Sequence, residues 1–362
     1  MKTSHSVLYG DAAERLAGMA SSSVDLLVTS PPYPMIEMWD ETFAGRDPRV
    51  GERLARGDGE GAFELMHRSL DPVWREAHRL LRPGGIACIN VGDATRRVGG
   101  SFRVFPNHAR ILTACLGQGY EALPEILWRK ESNKPTKFMG SGMLPGAAYV
   151  TQEHEYILVL RKGGKRGPGT AARRLARQRS AFFWEERNLW FSDIWEGLRG
   201  ERQRIGRGGV RGRSASFPFE LPYRLISMFS AQGDLVLDPF LGTGTTTVAA
   251  LAAARGSVGV ELDRRLGDLI EERVLGAAGA ANSFNEGRVS DHRAFVEEMG
   301  RRGRPLKYFN RTYGLPVMTG QEVLLRVPLL ERVDRTGEGA FRARYRPTRE
   351  RTGGGLRGPP SY

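Results

Sequence analysis

The sequence predicts an α/β protein built on an open, mostly parallel sheet, and two stretches carry that prediction. The stretch Val24–Thr29 is a run of branched and apolar residues typical of a buried parallel strand, and two prolines end it just after Ser30. Residues 234–254 pass from a strand pattern through a glycine-containing turn into a helix pattern. Such alternation of strands and helices indicates a sheet with helices packed against it.

Apolar periodicity and helix-stop signals predict the remaining elements. Strands are expected at 6–11, 86–91, 122–128, 155–160 and 256–261, and helices at 12–19, 63–81, 107–116, 217–226 and 245–254. Two late strands, 123–128 and 156–160, are expected to pair like a hairpin. Residues 40–61 are rich in glycine and charge and have no apolar period, which predicts a mobile lid.

Length and charge limit the function classes. A chain of 362 residues with 40% apolar residues can bury a sizeable core, as one large domain or two. The net charge of +13 indicates a polyanionic partner, and the charge is segregated. Residues 161–215 hold 15 lysines and arginines against 5 acidic residues, and residues 301–362 hold 14 against 5. A GC-rich genome would explain much arginine but not its segregation.

Other function classes receive no support from the sequence. Cys88 and Cys115 lie in apolar surroundings without a CxxC pair, which favours a reducing cytoplasm over a disulfide framework. There is no apolar run of about 18 residues and no signal-peptide pattern, so we expect neither a membrane span nor export. The six histidines show no ligand spacing, and no metal is expected.

The segment Ser30-Pro31-Pro32-Tyr33 has the composition of a catalytic loop. It follows a buried strand, so it should lie at the carboxyl edge of the sheet, where open α/β folds bind ligands. The Ser30 hydroxyl and the proline carbonyls could bind an exocyclic amine, and the Tyr33 ring could stack on its base. The alternative is an ordinary loop that closes a strand, because motifs of four residues recur by chance.

This segment resembles the catalytic motif of the DNA amino-methyltransferases, which methylate N4 of cytosine or N6 of adenine from S-adenosylmethionine. The serine form resembles the cytosine-N4 branch more than the adenine branch, where Asp or Asn usually stands at that position. The resemblance implies double-stranded DNA as the partner and a target base flipped out of the duplex. An adenine-N6 enzyme is the alternative, and a non-catalytic nucleic-acid-binding module is a further one.

A second motif supports the same resemblance. Residues 238–245 match the cofactor motif of this family, and they comprise Asp238, Pro239, Phe240, Leu241, Gly242, Thr243, Gly244 and Thr245. The two glycines would let the backbone approach a ligand closely. No Lys-Ser/Thr pair follows them, so a triphosphate-binding P-loop is not indicated. Glu261 ends the next predicted strand and is expected to bind the ribose hydroxyls of the cofactor.

The resemblance also assigns cofactor contacts outside this motif. Asp11 stands where the family has an acidic residue that contacts the adenine ring, although it could equally cap the helix that begins at Ala12. Phe217 and Pro218 are expected to line the cofactor pocket, and Thr29 is expected to lie beside it.

The order of the two motifs resembles the circularly permuted, beta-class members of the family. Residues 1–160 would form the catalytic half, 161–215 a basic target-recognition segment and 216–276 the cofactor half. Together they imply a Rossmann-like methyltransferase fold with a seven-stranded, mostly parallel sheet. The resemblance ends at about residue 276, and for residues 277–362 we expect a partly disordered, basic extension that binds DNA. A cytoplasmic, nucleoid-associated monomer or homodimer is expected, with a possible partner endonuclease.

Overall fold

The first third of the chain supplies three strands of the main sheet and the helices that cover one of its faces. The computed structural model describes residues 1–130, 139–167, 169–198 and 217–347. Up to residue 117 its elements are β1 (Lys2–Tyr9), α1 (Ala12–Ala17), β2 (Val24–Thr29), a 3₁₀ turn (Glu37–Trp39), α2 (Asp40–Arg46), α3 (Arg49–Ala55), α4 (Gly59–Leu80), β3 (Leu81–Val91), β4 (Ala94–Val98), β5 (Ser101–Phe105) and α5 (Asn107–Gly117).

The middle of the chain adds the antiparallel side of the sheet and two helices. Its elements are β6 (Tyr120–Ala122), β7 (Ile126–Arg129), β8 (Met139–Gly140), β9 (Ala148–Tyr149), β10 (His154–Lys162), α6 (Ala171–Arg179), α7 (Trp184–Trp190) and β11 (Ile194–Trp195).

The last third completes the sheet. Its elements are α8 (Glu220–Phe229), β12 (Leu235–Asp238), α9 (Thr245–Ala252), β13 (Gly256–Glu261), a 3₁₀ turn (Arg264–Leu266), α10 (Gly267–Leu275), α11 (Ala277–Arg301), β14 (Tyr308–Phe309), β15 (Pro316–Val317), a 3₁₀ turn (Gly320–Glu322), β16 (Leu330–Gly337) and β17 (Ala340–Tyr345).

The main sheet has the strand order β11-β7-β10-β3-β2-β12-β13-β1-β17-β16, with β6 paired to β10. Neighbouring pairs among β3, β2, β12, β13 and β1 are parallel, whereas β10 is antiparallel to both β3 and β7. The seven strands from β7 to β1 therefore form the predicted mostly parallel sheet with its antiparallel late pair. This part of the fold prediction is confirmed.

The two halves of the chain meet between β2 and β12. These parallel strands pair Leu26 with Val236 and Leu27 with Leu237. Their carboxyl ends therefore lie side by side, and they carry the two segments that the sequence singles out. Every residue of β2 is buried, with Leu26 in the core on one face of the sheet and Leu27 in the core on the other. Burial on both faces explains why the strand has no polar alternation.

Residues 40–61, for which the sequence predicts a mobile lid, are mostly helical in the structure, and their mobility stays a prediction. They contain α2, α3 and the start of α4, and they are held by Phe43 and Val50, which are buried. Asp40 at the start of α2 also accepts two hydrogen bonds from Arg96 of β4, at 2.8 and 2.6 Å. The two apolar residues are too few and too far apart to produce a periodic pattern, and the helices depend on tertiary packing.

The C-terminal region up to residue 347 is part of the fold and not a separate extension. Strand β17 pairs antiparallel with β1, and β16 pairs with β17 at the sheet edge. In α11, Asn285 donates to the carbonyl oxygens of Ala252 and Pro328 at 2.8 and 2.7 Å, which fixes the helix against α9. Positions 348–362 of the predicted extension lie outside the described residues.

The start of the basic segment lies far from the catalytic edge of the sheet. Because β10 is antiparallel to β3, Glu155 lies near the carboxyl edge and Lys162 at the opposite one, about 23 Å away at the usual rise per residue. There Arg166 forms ion pairs with Asp25 and Asp234, which lie near the amino ends of β2 and β12. The first part of the predicted target-recognition segment 161–215 therefore lies at the edge of the sheet opposite to Ser30.

None of the helices in the described parts of the chain is long and apolar enough to cross a membrane.

Candidate active site

Asp238 joins the predicted catalytic and cofactor segments at the carboxyl ends of β2 and β12. Its Oδ1 accepts a hydrogen bond from Thr29 Oγ1 at 2.6 Å and another from the Phe240 backbone N–H at 3.0 Å. Its Oδ2 accepts from Thr246 Oγ1 at 2.6 Å. Burial raises the pKa of the Asp238 carboxyl to about 6, although these three donors act in the opposite direction. The carboxylate therefore fixes the turn that follows it, through hydrogen bonds to protein atoms.

The glycine turn after β12 leaves its backbone open to a ligand. Gly242 has a φ of +57°, and a side chain at this position would meet nothing within 4 Å. Gly244 has a φ of +85° and caps α9, where a side chain would lie 3.3 Å from Ile270. Both conformations favour glycine, and the open space at Gly242 allows a bound group to approach the backbone. Thr243 and Thr245 of this turn are contacted by Arg273 of α10.

Glu261 closes the turn from the neighbouring strand. Its Oε2 accepts a hydrogen bond from the Gly242 N–H at 2.7 Å, and its Oε1 accepts from the Asp263 N–H at 2.8 Å. Burial raises the pKa of this carboxyl. Each carboxylate oxygen has two lone pairs, so both can still accept a bond from a ligand hydroxyl. The geometry is thus compatible with the predicted contact to a ribose.

The other predicted cofactor residues surround this turn at different places. Pro239 is buried behind the turn, and the Phe240 ring packs edge-on against Trp74 of α4 with ring centroids 5.9 Å apart. Phe217 and Pro218 precede α8, which lies against β2 and α9 and leads back to the start of β12. This direction puts the first turn of α8 at the carboxyl edge, on the same side as the glycine turn.

Asp11 caps a helix and also forms an ion pair. Its Oδ1 accepts from the Glu14 N–H at 3.2 Å, as an N-cap residue does, and its Oδ2 lies 2.7 Å from Arg46 of α2. The capping alternative is therefore confirmed. If Asp11 contacts an adenine ring, the ring and Arg46 must both interact with the same carboxylate. The contact with adenine stays a prediction.

The predicted catalytic loop is held by a hydrogen-bond network around the Tyr33 hydroxyl. Ser30 Oγ lies 2.9 Å from it, and Asn90 Nδ2 donates to it at 2.9 Å. The hydroxyl itself donates to Glu155 Oε2 at 2.9 Å. Burial and the neighbouring Glu155 carboxylate raise the pKa of Tyr33, so the phenol keeps its proton at neutral pH.

The chain after Tyr33 is anchored by buried groups of α4 and α5. Asn107 Nδ2 donates to the Pro34 carbonyl oxygen at 3.0 Å and to that of Gly92 at 3.0 Å. Met35 has a φ of +66° and is buried, with its N–H directed to the Met66 sulfur at 3.3 Å. An unfavourable backbone conformation held by packing on all sides is common at functional loops.

The sequence does not indicate three further residues of the candidate site. Asn90 lies near the end of β3, Lys130 follows β7, and Glu155 lies near the start of β10, so all three reach the carboxyl edge from the sheet. The only signal was that polar residues occupy the active-site ends of apolar strands. Among residues 1–130, 139–167, 169–198 and 217–347, no group of three or more His, Cys, Asp or Glu side chains could hold a metal ion.

The arrangement as a whole brings a polar catalytic loop next to a glycine turn with free backbone space. Ser30, Tyr33 and the Glu155 network lie at the end of β2, and the turn from Asp238 to Gly244 lies at the end of the adjacent β12. Neighbouring strand ends of this kind can place a bound cofactor and a second substrate next to each other.

Comparisons with known proteins agree with this geometry. The family model described as DNA methylase matches residues 24–272. The Type II methyltransferase M.MthZI of Methanothermobacter thermautotrophicus is 48% identical over 328 residues, which cover 90% of this chain and 91% of that protein. The Type II methyltransferase M.MjaI of Methanocaldococcus jannaschii is 48% identical over 283 residues, which cover 75% of this chain and 91% of that protein.

A solved structure extends the comparison to the cofactor. The Thermus thermophilus protein TTHA0409, assigned as a DNA modification methylase, has been determined in complex with S-adenosyl-L-methionine. It is 36% identical to this chain, with a TM-score of 0.58, and the match covers 76% of this chain and 96% of that one. The open backbone at Gly242 and the remaining acceptor capacity of Glu261 fit an adenosyl ligand of this kind.

Proposed function

Because the chain belongs to the DNA methylase family and depends on S-adenosyl-L-methionine, we propose that it transfers the methyl group to N4 of cytosine in double-stranded DNA. The observation that carries the proposal is the position of Ser30. Ser30 directly follows β2. The last residue of β2, Thr29, donates a 2.6 Å hydrogen bond to Asp238, which ends the neighbouring strand β12 before the proposed cofactor turn. The first residue of the catalytic loop is therefore a neutral hydroxyl and not the Asp or Asn usual in the adenine branch.

The amine of cytosine is a poor nucleophile because its lone pair is delocalised into the ring. In the proposed reaction, the Ser30 hydroxyl and the Pro31 carbonyl accept the two amine hydrogens, which draws the nitrogen toward a tetrahedral geometry. Pro32 keeps the loop rigid, and the Tyr33 ring stacks on the base. The bound cofactor supplies an electrophilic methyl group. Holding both reactants in line provides much of the rate, and the base has to leave the duplex to reach the loop.

The cofactor is assigned to the glycine turn and its neighbours. Glu261 would accept hydrogen bonds from the ribose, and the backbone at Gly242 and Gly244 would approach the cofactor closely. Asp11 and Phe240 are assigned to the adenosyl group, with Phe217 and Pro218 as further lining. Asp238 and Thr29 keep the turn in place through their mutual hydrogen bond.

Recognition of a DNA sequence is assigned to the basic segment where it returns to the catalytic edge. Strand β11 is parallel to β7, and Glu196 after it pairs with Arg129 at the end of β7. Positions 199–216 of this segment, which include six arginines, lie outside the described residues. Arginines of this segment could contact phosphates and read guanine edges at about 1–3 kcal/mol each. By analogy with the Type II relatives, a partner endonuclease would cut the same site.

Nucleoside mass spectrometry tests the proposal. The purified protein is incubated with labelled S-adenosylmethionine and PCR-amplified, unmodified DNA, and the digested product is analysed. N4-methylcytosine is the expected product. N6-methyladenine without N4-methylcytosine would identify the adenine branch, and cofactor binding without any base methylation would favour a non-catalytic binding module.

A further inference from the structure

Glu155 receives three hydrogen bonds at the catalytic loop. Its Oε2 accepts from the Tyr33 hydroxyl at 2.9 Å and from Asn90 Nδ2 at 2.7 Å, and its Oε1 accepts from Lys130 Nζ at 2.5 Å. The residue is 8% exposed and lies near the start of β10, beside the apolar middle of the strand. A buried carboxylate is costly unless it is paired and hydrogen-bonded, so its position calls for a specific reason.

These contacts determine where each hydrogen of the network lies. A carboxylate only accepts, so the amide nitrogen of Asn90 and not its oxygen must face Glu155. The two hydrogens of Asn90 Nδ2 then go to Glu155 and to the Tyr33 oxygen. The single hydrogen of the Tyr33 hydroxyl goes to Glu155.

The same reasoning fixes the direction of the bond between Ser30 and Tyr33. Since Tyr33 has no second hydrogen, the 2.9 Å contact between the two hydroxyls requires Ser30 to donate. The only hydrogen of Ser30 is thereby directed away from the substrate. Its oxygen can then meet an incoming amine only as an acceptor.

We infer that Glu155 is a positioning residue of the methyl transfer, which acts through Tyr33 to hold Ser30 as a hydrogen-bond acceptor for the target amine and to provide a path for the amine proton. This inference rests on the proposed function of the loop and extends it to a residue outside the loop. Lys130 and Asn90 support Glu155 by holding its two oxygens in place.

The proton released by methyl transfer can reach Glu155 through groups that the chain itself supplies. Methyl transfer forms the bond between the amine nitrogen and carbon and breaks the bond between that carbon and sulfur, which leaves one proton too many on the nitrogen. That proton moves to Ser30 Oγ, the Ser30 proton moves to the Tyr33 oxygen, and the Tyr33 proton moves to Glu155. Both hydroxyls end with one proton, and the carboxylate becomes a carboxylic acid that exchanges with water after product release.

The substitution Glu155→Gln tests this inference because it keeps the size and removes the charge. Lys130 retains an oxygen partner in the variant, so the new amide turns its N–H groups toward Tyr33. The Tyr33 hydroxyl then loses the carboxylate that accepts its hydrogen, so position 155 no longer fixes the direction of the bond between Ser30 and Tyr33, and the amine proton has no acceptor at the end of its path. We expect the single-turnover rate of methyl transfer to fall about 100-fold, a typical effect for a proton-transfer group. The KM for cofactor and for DNA should change less than about threefold.

A double-mutant cycle separates this role from a general structural one. Tyr33→Phe removes only the hydroxyl and should lower the rate about as much as Glu155→Gln does. The double variant should be no slower than Tyr33→Phe alone, to within about threefold, because both changes break one chain. The matched control is Glu153→Gln on the same segment, whose carboxylate pairs with Arg129 and should leave the rate unchanged.

Two results would overturn the inference. One is a Tyr33→Phe protein that transfers methyl groups at the wild-type rate. This result would exclude the proton path through Tyr33 even if the Glu155→Gln protein folds poorly. The other is a double variant whose loss equals the product of the two single losses. The assay counts labelled methyl groups on all bases of PCR-amplified DNA, so its outcome does not depend on whether cytosine or adenine is the target. The identity of the methylated nucleoside tests the proposed function separately.

Discussion

Thr29 Oγ1 donates a 2.6 Å hydrogen bond to Asp238 Oδ1, and this bond connects residues that are 209 positions apart in the chain. Thr29 ends the strand before the proposed catalytic loop, and Asp238 ends the strand before the proposed cofactor turn. Both residues are buried. The bond therefore couples the two segments of the site through the ends of adjacent strands.

The substitution Asp238→Asn should change how stability depends on pH. Burial raises the pKa of this carboxyl from 3.8 to about 6, so its contribution to the free energy of unfolding is greatest below about pH 4 and is lost as the pH rises through 6. Asparagine does not titrate, so the variant does not lose this contribution as the pH rises. The difference in free energy of unfolding, variant minus wild type, should therefore increase by about 2–3 kcal/mol between pH 4 and pH 7. Urea denaturation at both pH values measures the difference, and a constant difference would contradict the raised pKa.

Gly242→Ala should weaken cofactor binding more than it weakens the fold. Its φ of +57° costs about 1–2 kcal/mol for a residue with a side chain, and the added methyl group would also occupy the space assigned to the cofactor. We expect a loss of cofactor affinity of at least tenfold by calorimetry.

The matched control for this experiment is Gly233→Ala. Gly233 has a φ of +88° and open surroundings but precedes β12 at the opposite edge of the sheet. It should show a similar loss of stability with unchanged cofactor affinity. Equal affinities in the two variants would remove Gly242 from the cofactor site.

Asp11→Ser and Asp11→Ala together separate the two roles of Asp11. Serine retains an N-cap oxygen for α1 but removes the charge that contacts Arg46, whereas alanine removes both. Alanine should lower the free energy of unfolding by about 1 kcal/mol more than serine. Both variants should lose cofactor affinity if the carboxylate contacts the adenosyl group. Wild-type affinity in Asp11→Ser would leave only the structural role.

Ser30→Ala should abolish most methyl transfer while cofactor affinity is retained. The variant removes the acceptor for the amine and leaves the glycine turn intact. Rates lower by about 100-fold are expected, with cofactor dissociation constants within about twofold of wild type. A wild-type rate would show that Ser30 has no part in the chemistry.

Truncation after Gly303 should destabilise the protein, because it removes β17 and leaves the edge of β1 unpaired. It also removes the hydrogen bond from the Tyr345 hydroxyl to the Leu251 carbonyl oxygen at 2.8 Å. A lower melting temperature is expected in thermal denaturation. Truncation after Pro347 retains all these contacts and should keep the melting temperature, and any loss of DNA affinity in this shorter truncation would then belong to residues 348–362.

The sequence by itself determined the class of fold and the two motifs of the site. A strand buried on both faces, such as β2, needs apolar residues throughout, and the turn after Asp238 needs glycine at positive φ, so both leave a local signal. The permuted order was also visible, since it depends only on which motif comes first. The cap at Asp11 followed from its place before a helix.

Only the tertiary structure decided which distant residues complete the site and which basic residues lie near it. Asn90, Lys130 and Glu155 lie in or directly after three separate strands, and no local pattern indicates that Asn90, Lys130 and Tyr33 all donate to Glu155. Because β10 is antiparallel to β3, Arg166 lies at the edge of the sheet opposite to Ser30. Because β17 pairs with β1, it is part of the main sheet. Strand order and direction arise from long-range packing, which a linear pattern of residues does not record.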